Sequence, residues 1–163
     1  MYYAVVTTLM FAFPLGSVAI EATATRSALG AALIGKWFVF WAVGLRLFMA
    51  GARQILQPEY TANVILGLKI SESLLLVREL GFANLALGFV GLLSLLFPAW
   101  RLPVALAGGL FYGLAGANHV LQPIRNQLEN VAMASDLFVS LILLSVCAVA
   151  GFQAWSGHRM NAA

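Results

Sequence analysis

The chain has 163 residues, of which 62% are hydrophobic and 9% are charged, and its formal net charge is +3. Soluble domains are about half apolar and about a quarter charged, so this composition indicates a membrane protein with a single domain over residues 1–163. The nine basic residues are scattered along the sequence, whereas nucleic-acid-binding proteins gather them into a patch. The composition therefore excludes nucleic acid as a partner and makes the lipid bilayer the expected surroundings.

Five apolar stretches are long enough to cross a bilayer, which requires about 20 residues of helix. The predicted spans are residues 2–22, 35–56, 73–97, 104–122 and 135–155. A cleaved signal peptide has Lys or Arg before its apolar stretch, and none precedes this one. The first stretch is therefore interpreted as a retained span. The sequence thus predicts an all-α integral membrane bundle of five transmembrane helices joined by short loops.

The connecting segments carry local signals of their own. Glu21, at the end of span 1, is predicted to pair with a cation at the interface, because Arg26 and Lys36 are close in sequence. In loop 57–73, Pro58 ends span 2 and Thr61 is a candidate cap for a short helix. That helix either lies in the membrane interface, which we favour, or folds over the mouth of the bundle as a lid.

Small residues predict where two helices approach closely. Gly109 and Gly113 lie four residues apart in span 4, a spacing that brings them to one face of the helix. Such small-xxx-small faces allow membrane helices to pack backbone against backbone. We therefore expect span 4 to meet a neighbouring helix through these two glycines.

Polar side chains inside the spans are concentrated toward one side of the membrane. Spans 2 and 4 end on the side where spans 3 and 5 begin, because the chain crosses the bilayer with each span. The polar groups near that side are Arg46, Arg53, Gln54, Arg78, Glu79, Asn84, Asn118, His119, Gln122 and Asp136. If the helices bundle, this distribution predicts a polar pocket that opens to one side only. Ionisable groups inside a membrane are functional by default.

Roles within this pocket follow from side-chain chemistry. Glu79 and His119 are the candidate catalytic residues, since either exchanges protons or binds a polar headgroup. Arg46 would orient an anionic or carbonyl oxygen through its planar fork of donors. The candidate ligand-binding residues are Arg46, Arg53, Gln54, Arg78, Asn84, Tyr112, Asn118 and Asp136. A pair of Glu79 with Arg46 or Arg53 would either belong to the site or only hold two helices in register.

A metal site is not predicted. His119 could join Glu79, Glu129 and Asp136 as a ligand for zinc or a di-iron centre, but the sequence has no HxxxH or Glu-x-x-His spacing to support one. The lone Cys147 lies in an apolar run and is interpreted as a packed hydrophobic residue. The sequence does not identify a cofactor.

Four sequence runs carry a resemblance to known proteins: KWFVFWAVGLRLFMAGARQILQPEYTA, VRELGFANLALGFVGLLSL, GGLFYGLAGANHV and ENVAMASDLFV. Over residues 35–140 the chain resembles an uncharacterised bacterial family of small integral membrane proteins, which implies a multi-pass protein of the bacterial inner membrane. More distantly it resembles DoxX-like proteins, some of which are linked to quinone-coupled sulfur oxidation or oxidative-stress complexes. Their usual layout has four spans, one fewer than predicted here.

Three functions remain open on this basis, and whether the protein is an enzyme is undecided. The first is a site that binds or acts on a quinone, an isoprenoid or another lipid-like amphiphile. The second is an accessory or structural subunit, in a homo-oligomer or a larger membrane complex. The third and least favoured is a transporter or channel, because polar groups occupy one leaflet only.

Counting charges that include Lys69 and Arg159, the positive-inside rule favours a cytoplasmic C-terminus by one charge.

Overall fold

The computed structural model describes residues 2–26, 28–68 and 71–161, with side chains described up to Gly157. Its long helices are α1 (Tyr2–Thr25), α2 (Ala31–Leu56), α3 (Ser73–Leu93), α4 (Arg101–Leu121) and α5 (Gln127–Asn161). The described ranges contain no strand, and five helices are long and apolar enough to cross a membrane. The predicted all-α bundle of five helices is confirmed. Lys69 and the side chain of Arg159, used above to predict orientation, lie outside the described residues.

The last helix begins earlier than predicted, at Gln127 instead of residue 135. Asn126 and Glu129 form a reciprocal cap at its start: the Glu129 backbone N–H donates to Asn126 Oδ1 over 2.9 Å, and the Asn126 N–H donates to Glu129 Oε2 over 2.8 Å. Such a capping box satisfies two N–H groups that would otherwise lack partners. Glu129 is therefore used to begin α5. In the connection between α4 and α5, Arg125 Nη1 donates to the His119 carbonyl over 2.7 Å and so caps the end of α4.

Two helices contain a wider, π-helical stretch. In α1 it covers Thr8–Ala12 and ends two residues before Pro14, whose backbone nitrogen carries no hydrogen to donate. In α2 it covers Val39–Leu45, where the Arg46 N–H reaches back to Trp41. In a regular α-helix that N–H would bond to Ala42. The π stretch leaves the Ala42 carbonyl free, and the Tyr112 hydroxyl of α4 donates to it over 2.5 Å.

Glycines determine which helices approach most closely. A Cβ on Gly88 of α3 would collide with the Phe48 backbone of α2, so these two helices touch backbone to backbone. A Cβ on Gly113 of α4 would lie 2.7 Å from Ser140 Oγ of α5. The same Ser140 hydroxyl donates to the Gly109 carbonyl over 2.8 Å. The predicted packing of span 4 through Gly109 and Gly113 is confirmed, and its neighbour is α5.

A polar cluster joins α1 and α2 at the far end from the predicted pocket. Lys36 Nζ donates to both carboxylate oxygens of Glu21, over 2.6 and 2.9 Å, and Trp37 Nε1 donates to Glu21 Oε2 over 2.8 Å. About one turn along the helices, Trp41 Nε1 donates to Ser17 Oγ over 2.9 Å. The predicted ion pair of Glu21 with a cation is confirmed, with Lys36 as the cation.

Candidate functional site

A cavity of about 260 Å³ lies among α1, α2, α3, α4 and α5, at the end where α2 and α4 finish. Part of its wall is apolar, formed by Val5, Val6, Leu47, Met49, Ala50, Ile65, Leu66, Leu80, Phe111 and Ala115. A cavity of about 150 Å³ already holds a benzene molecule. The space is therefore large enough for a ring-sized group.

Most of the predicted site residues line this cavity. Those that do are Arg46, Arg53, Gln54, Asn84, Tyr112, His119 and Asp136. They come from four helices, α2, α3, α4 and α5, so the polar groups converge only in the folded bundle. The sequence predicted that the polar groups of the spans lie toward one side, and in the structure these residues lie at one end of the bundle.

Glu79, Arg78 and Asn118 do not line the cavity, and all three are exposed. The expected convergence of Glu79 with the arginines is therefore wrong. The reason is the rotation of α3 about its own axis, which turns Gly81 and Gly88 toward α2. Glu79 lies two residues before Gly81, about 200° around a helix, and so it faces the opposite way.

Asp136 is the acid that the cavity contains. Its carboxylate is close enough to Arg46 to interact with it electrostatically, and so is the Tyr112 hydroxyl. The separation from Arg46 exceeds a direct ion pair, since the only ion pair within 4 Å in the described part of the chain joins Lys36 and Glu21. Arg46 and Asp136 therefore both line the cavity without a direct ion pair between them.

Three buried polar atoms of the lining have no hydrogen-bond partner: Arg46 Nε, Arg53 Nε and Asn84 Oδ1. Asn84 is only 5% exposed, and its amide nitrogen donates to Gln54 Oε1 over 2.8 Å. A buried polar group without a partner costs about 1–3 kcal/mol. The residues that line the cavity thus include two donors and one acceptor that the protein itself leaves without a partner.

Two tyrosines complete the site, and the sequence analysis did not assign either of them to it. Tyr2 lines the cavity, and its hydroxyl is close enough to Arg46 to interact with it electrostatically. Tyr60 also lines it, with the Arg53 guanidinium 3.5 Å from its ring centroid. Nothing in the spacing of Tyr2 or Tyr60 signals these contacts, because both depend on how distant segments pack.

The segment after α2 forms one wall of the cavity. A helical turn, Tyr60–Ile65, places Tyr60, Thr61, Ile65 and Leu66 against the space. Asn126 Nδ2 donates to the Ile65 carbonyl over 3.0 Å and ties this turn to the beginning of α5. This contact agrees with the alternative, a position over the bundle mouth, and the favoured position in the membrane interface stays a prediction. Thr61 lies inside the turn and does not cap it.

Comparison with known proteins adds a family to this geometry. The model of the family of unknown function DUF6790 matches residues 2–159. The chain belongs to this family. No curated protein and no solved structure matches the chain. Because the match covers all five helices, the DUF6790 fold includes the whole cavity.

What this DUF6790 site can do is determined by its donors. In the described residues, no three His, Cys, Asp or Glu side chains are grouped so that they could hold a metal ion. The groups available are two guanidinium ions, one carboxylate, one amide pair and His119, whose Nδ1 lies 3.3 Å from Gln122 Oε1. Guanidinium groups match carbonyl, carboxylate and phosphate oxygens well. The arrangement suits an oxygen-bearing head on an apolar body.

Proposed function

We propose that this protein binds a lipid-like amphiphile in the cavity, with a quinone or another carbonyl-bearing isoprenoid as the best-matched class. The single observation that carries the proposal is the set of unpaired atoms Arg46 Nε, Arg53 Nε and Asn84 Oδ1 in a partly apolar cavity. Ligand oxygens would accept from the two arginines. A hydroxyl, as on a reduced quinone, would donate to Asn84.

The route by which such a ligand enters supports the same class. Met49 and Leu80 line the cavity and are 44% and 39% exposed, so part of its accessible edge is apolar. Such an edge would face the hydrocarbon of the membrane in which the helices would lie. A ligand dissolved in the bilayer reaches the arginines without crossing water, and its tail stays in lipid.

Asp136 takes the place that the sequence analysis assigned to Glu79. It lies opposite Arg46 and near Tyr112, so it is positioned to bind or exchange a proton on the ligand head. The distant DoxX-like resemblance, with its link to quinone chemistry, favours the same ligand class. The proposed location is the inner membrane of a bacterium, as a multi-pass protein.

An accessory-subunit function is less well supported, because a purely structural polar cluster would be fully paired. Here three buried atoms remain without partners. Transport is also less well supported, since the polar lining occupies one end of the bundle. Binding of an amphiphile uses both the unpaired groups and the apolar wall.

The test measures binding of a short-chain benzoquinone to the purified protein in detergent. The readout is quenching of the protein's tryptophan fluorescence by the quinone. Arg53→Gln should weaken binding by about tenfold or more, since a hydrogen bond to a charged group contributes about 1.5–3 kcal/mol. Arg78→Gln is the matched control, because Arg78 is exposed and outside the cavity. The proposal would be contradicted if Arg53→Gln and Arg46→Gln both bound the quinone as tightly as the parent protein does. It would also be contradicted if Arg78→Gln lost as much affinity as Arg53→Gln.

A further inference from the structure

A second cavity, of about 240 Å³, lies at the opposite end of the bundle. It is formed where α2 and α4 begin and α5 ends, whereas the first cavity lies where α2 and α4 end. Small residues dominate its walls, including Ala31, Gly35, Ala105 and Ala150. Their short side chains leave a groove between three helices. Leu102, which is 44% exposed, marks its open side toward the lipid.

The charge at this cavity is positive. Lys36 and Arg101 both line it, and no Asp or Glu is among its lining residues. Glu21 neutralises Lys36 through the ion pair described above. Arg101 donates through Nε to the Ser94 carbonyl over 3.1 Å, and no carboxylate of the described residues lies within ion-pair distance of it. The group formed by Glu21, Lys36 and Arg101 therefore carries a net charge of one positive unit.

Donors remain available for a ligand. A lysine ammonium has three N–H donors, and Lys36 uses bonds to the two oxygens of Glu21. Arg101 Nη2 donates to the Leu95 carbonyl over 3.5 Å, which leaves Nη1 as its other outer nitrogen, and Lys36 and Arg101 both line the groove. A group with one negative charge and several acceptor oxygens satisfies both. A phosphodiester has this charge and these oxygens.

From this geometry we propose that the second cavity binds an anionic phospholipid of the surrounding leaflet. Its phosphate oxygens accept from Arg101 and Lys36, and one acyl chain lies in the groove past Ala105 and Ala150. Basic pockets between membrane helices bind lipid headgroups in this way. The apolar walls explain why the ligand is a lipid and not free phosphate.

The experiment measures binding of dioleoyl phosphatidylglycerol to the purified protein by native mass spectrometry. Dioleoyl phosphatidylcholine and inorganic phosphate are compared at the same concentrations. We expect phosphatidylglycerol to bind most tightly, and Arg101→Gln to weaken it by about fivefold, from about 1 kcal/mol per basic residue near a membrane surface. Arg26→Gln, at the same end but outside the cavity, should bind nearly as the parent does.

A second variant tests the groove without changing charge. Ala150→Leu fills the space where the acyl chain would lie, so it should weaken binding at least as much as Arg101→Gln. Gly151→Leu is its matched control, because it adds the same side chain one residue along, where nothing lies within 4 Å of a Cβ. Full affinity in Ala150→Leu overturns the acyl-chain groove. Equal binding of phosphatidylcholine, or displacement of the lipid by inorganic phosphate, overturns the anionic-lipid site.

Discussion

The position of Arg46 depends on the backbone just before it. The π-helical stretch Val39–Leu45 ends where Arg46 begins, and it changes the direction in which the following side chains leave α2. The same stretch frees the Ala42 carbonyl for Tyr112, which anchors α4 beside the arginine. Single residues of the site are thus held by backbone irregularity and by partners on other helices.

Asp136 and Glu79 offer a direct comparison of two acids at the residue scale. Asp136→Asn should lower the free energy of unfolding by about 1–3 kcal/mol, because Arg46 loses the opposing charge inside the bundle. Glu79→Gln should change it by no more than about 0.5 kcal/mol, since Glu79 is exposed. The measurement is unfolding of both variants in the same detergent, monitored by circular dichroism. A larger loss in Glu79→Gln would show that the acids have been assigned to the wrong places.

At the scale of elements, the bundle contains two tightly packed helix pairs, α2 with α3 and α4 with α5. In the first pair, Gly51 and Gly88 leave no room for a Cβ against the facing backbone. In the second, the contacts at Gly113 are with the Ser140 side chain, which can adjust. The α2–α3 contact is therefore the less tolerant of the two.

Gly88→Ala tests this contact. The added methyl group would press on the Phe48 backbone, so the helices must separate and the protein should lose about 1–3 kcal/mol of stability. Gly151→Ala is the control, because its Cβ meets open space and alanine is the better helix former. The measurement is the unfolding temperature of both variants and of the parent protein in the same detergent. An unchanged temperature for Gly88→Ala would mean that α2 and α3 are not packed backbone to backbone.

At the scale of the whole molecule, the two ends of the bundle have different chemistry. One end carries the cavity with Arg46, Arg53 and Asp136, and the other carries Lys36 and Arg101 beside the small-residue groove. Of the acids in the described residues, only Glu21 belongs to the second end. A protein with these two ends has a defined direction in a membrane.

Five crossings would place the ends of the chain on opposite sides of the membrane, and the charge difference predicts a cytoplasmic C-terminus. A reporter that is active only in the cytoplasm should therefore work when fused after the last residue and fail when fused before the first. The measurement is reporter activity in cells expressing each fusion at equal levels. Activity at both ends would require an even number of crossings and would contradict the five-span arrangement.

The sequence by itself determined the number of helices, the packing role of Gly109 and Gly113, and the ion pair of Glu21. These are local properties: helix length follows from a run of apolar residues, and Glu21 and Lys36 adjoin the same short connection. The concentration of polar groups at one end was also predictable, since alternate crossing of the bilayer follows from the span count alone.

Only the tertiary structure decided which acid meets the arginines and which tyrosines complete the site. α3 is apolar on almost every side, so its hydrophobic pattern does not specify which face turns inward. Close packing of Gly81 and Gly88 against α2 sets that rotation and turns Glu79 outward. Asp136, Tyr2 and Tyr60 reach the cavity from segments far apart in the chain. Helix rotation is a property of the packed pair, and for that reason one sequence segment cannot reveal it.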